Sequence, residues 1–169
     1  MYGLCNEPQY NFDGALDADV WTAMNDTVAA IREVEADVGA PQPHLVSVQG
    51  TGGWSRFLQY YVDHPITAGG GENVLYEVHV YDPASEFASR FEEPAETLPV
   101  IIGEYGEEDV DQLFTRADAA QVPHLAWTFH PRCPPNLLVD NSDGGCGVDM
   151  ALESTSWGDL VKGHLAGDW

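Results

Sequence analysis

Two glutamates stand out because of the residues around them. Glu104 ends the apolar part of Leu98–Gly106, LPVIIGEYG, in which consecutive Val100, Ile101 and Ile102 predict a strand covered on both faces. A charge at the C-terminal tip of such a strand is out of place unless something uses it. Glu7 follows the short apolar run MYGLC within Asn6-Glu7-Pro8, where proline stops a strand ladder and stiffens the turn. His79 and Tyr81 close NVLYEVHVY, Trp127 lies in VPHLAWTF, and Trp54 sits in a glycine-rich loop after HLVSVQG. Two carboxyl groups with aromatics and a His-x-Tyr pair suit glycoside hydrolysis. One carboxylic acid protonates the leaving oxygen while a carboxylate about 5–5.5 Å away attacks the anomeric carbon. The aromatic faces would stack on the apolar face of a sugar ring, and the His/Tyr pair would orient the nucleophile and bias its ionisation. Taken singly, each glutamate reads more readily as a loop acid or an ion-pair partner; the joint occurrence carries the argument.

The elements that must position these groups alternate between strand and helix. Strands are predicted over 1–5, 44–50, 73–81, 98–103 and 122–129, and helices over 17–38, 84–91, 109–120 and 157–165, with a short one near 56–62. In the first long helix Val20, Met24, Val28, Ile31, Val34 or Glu35, and Val38 recur at helical spacing, and Gly39 with Pro41 and Pro43 ends it. Such alternation means βα units and a parallel sheet of about five strands. Right-handed crossovers put every C-terminal strand end on one edge. Glu7, Gln49 with Trp54, His79 with Tyr81, Glu104 and Trp127 all fall there. That rim is where α/β folds hold their sites.

LCNEPQ, HLVSVQGTGGWS, NVLYEVHVYDP, LPVIIGEYG and LAWTF, in this order, resemble the second half of glycoside hydrolase family 5, a clan A family of (β/α)8 barrels rich in cellulases and mannanases. The ending NLLVD…WGDLVKGHL resembles that family's last loop and helix, so the likeness covers nearly the whole chain. It implies an α/β fold: one truncated domain over residues 1–169, a half-barrel equivalent to strands 4–8. It implies retaining hydrolysis of β-linked glycans, β-1,4-glucan or mannan. Glu7 would be the acid/base, Glu104 the nucleophile, Asn6 the holder of the sugar 2-hydroxyl, and Tyr81 with His79 the support of the nucleophile. Trp127 would be the sugar platform, and Trp54 would line a subsite. No cofactor or metal is expected, and the family's habit points to an extracellular setting, although no signal peptide is visible. The first three barrel strands, which supply an arginine near the nucleophile and a histidine near the sugar, have no counterpart here. Five strands do not close a barrel and leave two open edges. Self-association covering those edges is the favoured expectation, and a catalytically weak carbohydrate-binding half-barrel is the alternative.

Other features read as structural. Trp21 and Trp157 are expected to pack, and Trp169 to be packing or terminal. Arg56 and Arg116 are expected at the surface, and Cys5 as a buried thiol. Cys133 and Cys146 flank a Pro/Gly-rich loop and could pair. His124, His130 and Cys133 fit no zinc frame, and Asp140, Ser142 and Asp143 read as a turn and not as a calcium loop.

Length and charge bound the rest. The 169 residues suffice for one domain with a real core, and no apolar run reaches the ~18–20 residues that span a membrane. Asp and Glu number 28 against six Lys and Arg, a net charge of −22 that repels nucleic acid and anionic membranes alike. The acids are dispersed and Lys162 is the only lysine, a surface composition suited to high salt, where self-repulsion is screened. The melting temperature is therefore expected to climb between low and molar NaCl; a flat profile would remove the high-salt reading.

Overall fold

A computed structural model describes residues 1–140 and 152–167. Four parallel strands, β1 (Tyr2–Leu4), β2 (Val46–Gln49), β3 (Val74–Val80) and β4 (Val100–Tyr105), form one sheet in the order β1-β2-β3-β4. Helix α1 (Asp17–Asp37) crosses from β1 to β2, and α2 (Gln59–Asp63) lies between β2 and β3. A broken helical passage leads from β3 to β4, with a 3₁₀ turn at Ala84–Glu86, a π turn at Ala88–Glu92 and α3 (Glu93–Ala95). Helices α4 (Val110–Ala120) and α5 (Ser156–Ala166) follow. The fold is α/β, a partial barrel of successive βα units. No helix among the described residues is long and apolar enough to cross a membrane.

The expected fifth strand, 122–129, is not a full strand. It lies beside β4 through one parallel bridge, Ile102 to His124. The Ile102 amide donates to the Pro123 carbonyl, the Leu125 amide to Ile102, and the Trp127 amide to Tyr105. Pro123 has no amide to donate, which thins this ladder at its start. The expected helix over 84–91 is instead the three-part passage, whose last turn takes Pro94.

The helix side of the sheet is apolar. Val46, Val48, Val74, Tyr76, Val78, Val100, Ile102 and Tyr105 pack with Val20, Met24 and Val28 of α1 and with Leu113 and Phe114 of α4. Tyr61, Phe87, Phe91, Phe114 and Tyr105 are fully buried, each worth roughly 1.5–3 kcal/mol relative to exposure, so this layer carries the stability. Trp157 is buried with it and Trp21 is partly buried against it. At the C-terminal end of α1 the buried face turns to Glu35, while Val34 and Val38 are exposed, against the expected apolar stripe. Glu35 accepts from the His44 amide and from Arg32, whose guanidinium also donates to the carbonyls of His44 and Glu72. The His44 amide holds the Glu35 carboxyl down at about 2, with Arg32 adding to the effect against burial. Polar pairing thus takes over from apolar contact where α1 meets the start of β2.

Three other expectations change. Cys5 is exposed, because β1 lies at the sheet edge. Arg56 is half-buried near Asp82, and Arg116 pairs with Glu92. Cys133 is exposed, while Cys146, Ser142, Asp143 and Trp169 lie outside the described residues.

Candidate active site

The inner face of the sheet, away from the helices, is polar. Ser47 and Gln49 on β2 and Glu77 and His79 on β3 share it by two-residue alternation. Glu104 joins them through a bulge. Val78 pairs with Ile102, but His79 pairs with Glu104, which leaves Gly103 as the extra residue. Before the bulge Val100 and Ile102 face the helices; after it Tyr105 does, and Glu104 turns inward beside His79. Gly103 is glycine for a second reason: a Cβ there would lie 2.2 Å from Glu77 Oε1, so the Glu77 side chain occupies that space.

His79 is fully buried at the centre of a carboxylate cluster. Its Nδ1 lies 3.0 Å from Glu7 Oε1 and 3.5 Å from Glu104 Oε2, and its Nε2 lies 3.3 Å from Glu77 Oε1. Ser47 Oγ donates to Glu77 Oε2 at 2.6 Å and Gln49 Nε2 to Glu77 Oε1 at 2.7 Å. Burial alone would lower the His79 pKa; hydrogen bonds to Glu77 and Glu7 and the charge of Glu104 outweigh it, and the net direction is upward. The carboxylates thus favour the charged form of His79, in which Nδ1–H can be donated to Glu7 and Nε2–H to Glu77. Burial pushes Glu77 up, but its bonds from His79 and Ser47 bring it below its ordinary value. Glu77 was not singled out from the sequence, although its place two residues before His79 puts it on the same strand face.

Glu7 is held by backbone as well as side chain. Its amide donates to Gln49 Oε1 at 2.9 Å, and Ser55 Oγ donates to the same oxygen. Buried Gln9 joins this loop to the next, donating to the Thr51 carbonyl, while the Trp54 amide donates to the Gln9 carbonyl. Glu7 sits at φ 47°, and Trp54 and Ser55 at 56° and 62°, left-handed values that cost non-glycine residues energy. Exposed Trp54 meets Tyr10 and Phe12 at ring-centroid distances of 6.4 and 5.6 Å, an aromatic cluster on the rim. Tyr10 and Phe12 were hidden in a stretch that reads only as loop.

Tyr81 donates its hydroxyl to Glu104 Oε2 at 3.0 Å. Burial raises the Tyr81 pKa, and the Glu104 charge raises it further, so the phenol keeps its proton. Burial pushes Glu104 above its ordinary value; His79 and Tyr81 pull it back, Glu7 and Glu77 push it up, and the net direction is upward. Trp127 is half-buried beyond β4, its amide donating to the Tyr105 carbonyl and its own carbonyl accepting from Trp157 Nε1. Asn6 is exposed next to Glu7. Glu7, His79, Glu104 and Tyr81 thus meet in one contact network, with Asn6, Trp54 and Trp127 placed on the rim around it.

Paired carboxyl groups at the C-terminal edge of a parallel βα sheet are the arrangement that barrel glycoside hydrolases use. The chain belongs to glycoside hydrolase family 5: the family "Cellulase (glycosyl hydrolase family 5)" matches residues 1–131. Its fold is similar to that of a β-glucanase from Saccharophagus degradans solved with cellotetraose (TM-score 0.71, 17% identity, 99% of this chain and 54% of that one). It is similar to a thermostable, highly halotolerant family 5 cellulase from an Icelandic hot spring isolate (TM-score 0.75, 20% identity, 98% and 56%). It is also similar to a β-mannanase from Streptomyces thermolilacinus solved with mannohexaose (TM-score 0.65, 23% identity, 95% and 53%). The chain therefore spans about half the length of these solved structures. Among curated protein sequences, none matches.

The raised Glu104 carboxyl has a stability consequence. Its folded value lies above the ordinary 4.5, so the fold favours the protonated form; that contribution is complete below about 4.5 and is lost as pH rises through the folded value. Glu104→Gln is expected to raise the melting temperature by several degrees at pH 7–8, with the gap to wild type closing below the ordinary carboxylate range. A lower or unchanged melting temperature at neutral pH would contradict this.

Proposed function

We propose that this chain supplies the catalytic carboxylates of a retaining endo-β-glycanase acting on β-1,4-glucan or mannan. The observation that carries this reading is the juxtaposition at His79: one oxygen each of Glu7 and Glu104 and a His79 nitrogen lie within 4.8 Å of one another. That is nearer the about 5–5.5 Å of retaining enzymes than the roughly 6.5–9.5 Å of inverting ones. Glu104 Oε attacks the anomeric carbon as the glycosidic C–O bond breaks, and Glu7 gives its proton to the departing oxygen. Glu7 then takes a proton from water, whose oxygen attacks the same carbon and releases the sugar from Glu104. Tyr81 fixes the attacking carboxylate by its hydroxyl. His79 holds both carboxylates in register and balances part of their charge. Trp54 with Tyr10 and Phe12, and Trp127, offer faces for sugar rings, and Asn6 stands where a 2-hydroxyl would be held.

Glu104→Ala and Glu7→Ala are each expected to lower turnover of a β-1,4-glucan or mannan by about 10³-fold or more, and a 2-fluoro-sugar is expected to leave an adduct on Glu104, detected by peptide mass. An unchanged rate in either variant would overturn the assignment. A second reading, a carbohydrate-binding half-barrel without turnover, is favoured by the upward push of burial on Glu104; it would show oligosaccharide affinity that both alanine variants retain, with no adduct.

The active form in this proposal is a homo-oligomer. β1 pairs only with β2 among the described strands, and a cavity of about 490 Å³ lined by Leu4, Leu16, Val20, Ala23 and Met24 lies between that edge and α1. A second copy covering this edge would also add a wall to the site. Light scattering is expected to give a mass above 18.4 kDa; a well-folded monomer at every concentration would refute it.

A further inference from the structure

On the helix side of the sheet, a second cluster of ligating groups plays no part in glycan chemistry. Asp118 lies near the end of α4, His124 in the segment beside β4, and His164 in the last turn of α5. The two histidine Nε2 atoms face each other at 3.2 Å, and Asp118 Oδ1 is 3.9 Å from His164 Nε2. One ligating atom from each of the three residues falls within a 4.8 Å span. A cavity of about 470 Å³ lined by Asp118, Val122, Pro123, His124, His164 and Leu165 opens onto them.

We propose that Asp118, His124 and His164 bind a single divalent transition-metal ion of the zinc class. Imidazole nitrogens ligate zinc at about 2.0–2.1 Å, and two of them at a tetrahedral angle stand about 3.3 Å apart; the observed 3.2 Å spacing, which in the metal-free chain is also that of a ring N–H···N bond, matches two ligands sharing one ion. Both rings are held in this pose from behind. The Phe114 ring stacks on His164 with centroids 3.8 Å apart and 6° between planes, and the Tyr105 hydroxyl lies 3.1 Å from His124 Nδ1. The Tyr105 oxygen can accept Nδ1–H, which fixes the tautomer with Nε2 as the metal-facing lone pair. Asp118 is 58% exposed at its side chain and can rotate inward as the third ligand. The fourth position faces the cavity and would hold water. Two imidazoles and one carboxylate suit zinc, cobalt or nickel and are too poor in oxygen for calcium or magnesium.

The ion would act as a clamp. It would tie together α4, the irregular segment beside β4, and α5. Cross-linking His124 to His164 closes a large loop, the case in which binding energy becomes folding energy most directly.

The test uses the whole chain, stripped with a chelator and titrated separately with ZnCl₂, CoCl₂, CaCl₂ and MgCl₂ at pH 7.5. The proposal expects one zinc per chain after dialysis, a melting temperature that rises with zinc, and visible Co²⁺ d–d bands of a four- or five-coordinate site. It also expects at least tenfold weaker binding in His124→Gln and Asp118→Asn, and no loss when all three cysteines are replaced by serine. Zinc that does not remain bound, binding unchanged in both variants, loss with the cysteines, or equal stabilisation by calcium would each overturn it. If the variants fail to fold, the wild-type stoichiometry and the Co²⁺ spectrum decide.

Discussion

The interaction on which the inner face depends is the charge balance around His79. Three carboxylates, Glu7, Glu77 and Glu104, converge on one imidazole, and among the described residues no arginine or lysine forms an ion pair with them. A buried charge without a partner costs several kcal/mol, so the carboxylates divide the two ring nitrogens of His79, Glu7 and Glu104 at Nδ1 and Glu77 at Nε2. Glu77 benefits most, because Ser47 and Gln49 also donate to it. Glu104 has the Tyr81 hydroxyl as its other donor. Glu77 is thereby brought below its ordinary value, whereas burial keeps Glu104 above its own.

That balance also separates the site from the surface. Dissolved salt screens the dispersed surface acids over about 10 Å or less. Buried carboxylates at His79 are reached far less by ions. The exterior can be eased by its medium, whereas the interior must be eased by its own donors. The polar inner face is affordable because the opposite face holds the aromatic core.

Much of this was legible in the chain. The four strands, their parallel order and the long helices follow from periodicity and from Gly and Pro punctuation, and the Tyr81–Glu104 bond was implied by the family resemblance. What escaped has physical causes. His79 was expected to support the nucleophile; it bridges both glutamates, because the bulge sets it opposite Glu104 while the curl of the first loop brings Glu7 over it. Glu77 looked like an ordinary alternating acid, since its three donors come from two other positions on β2 and one on β3. The strand at 122–129 carries apolar residues enough, but its proline and its place at an edge leave a partial ladder. Cys5 follows an apolar run whose covering layer the described residues lack. The pairing of His124 with His164 joins residues forty positions apart and has no local signature.

The one-residue bulge at Gly103 works as a change of phase. Up to that point β4 follows one alternation, and beyond it the opposite one, so its helix-side packing and the direction of Glu104 at its tip are set independently. Side chains before the bulge can drift in size with α4 and the rest of the core without rotating Glu104, and the tip can be altered without unseating Tyr105. Were Gly103 kept but paired as an ordinary ladder residue, the same composition would send a phenol into the cluster and a carboxylate into the core. The position of Glu104 is thus held by how the residues pair more than by the identity of any one of them.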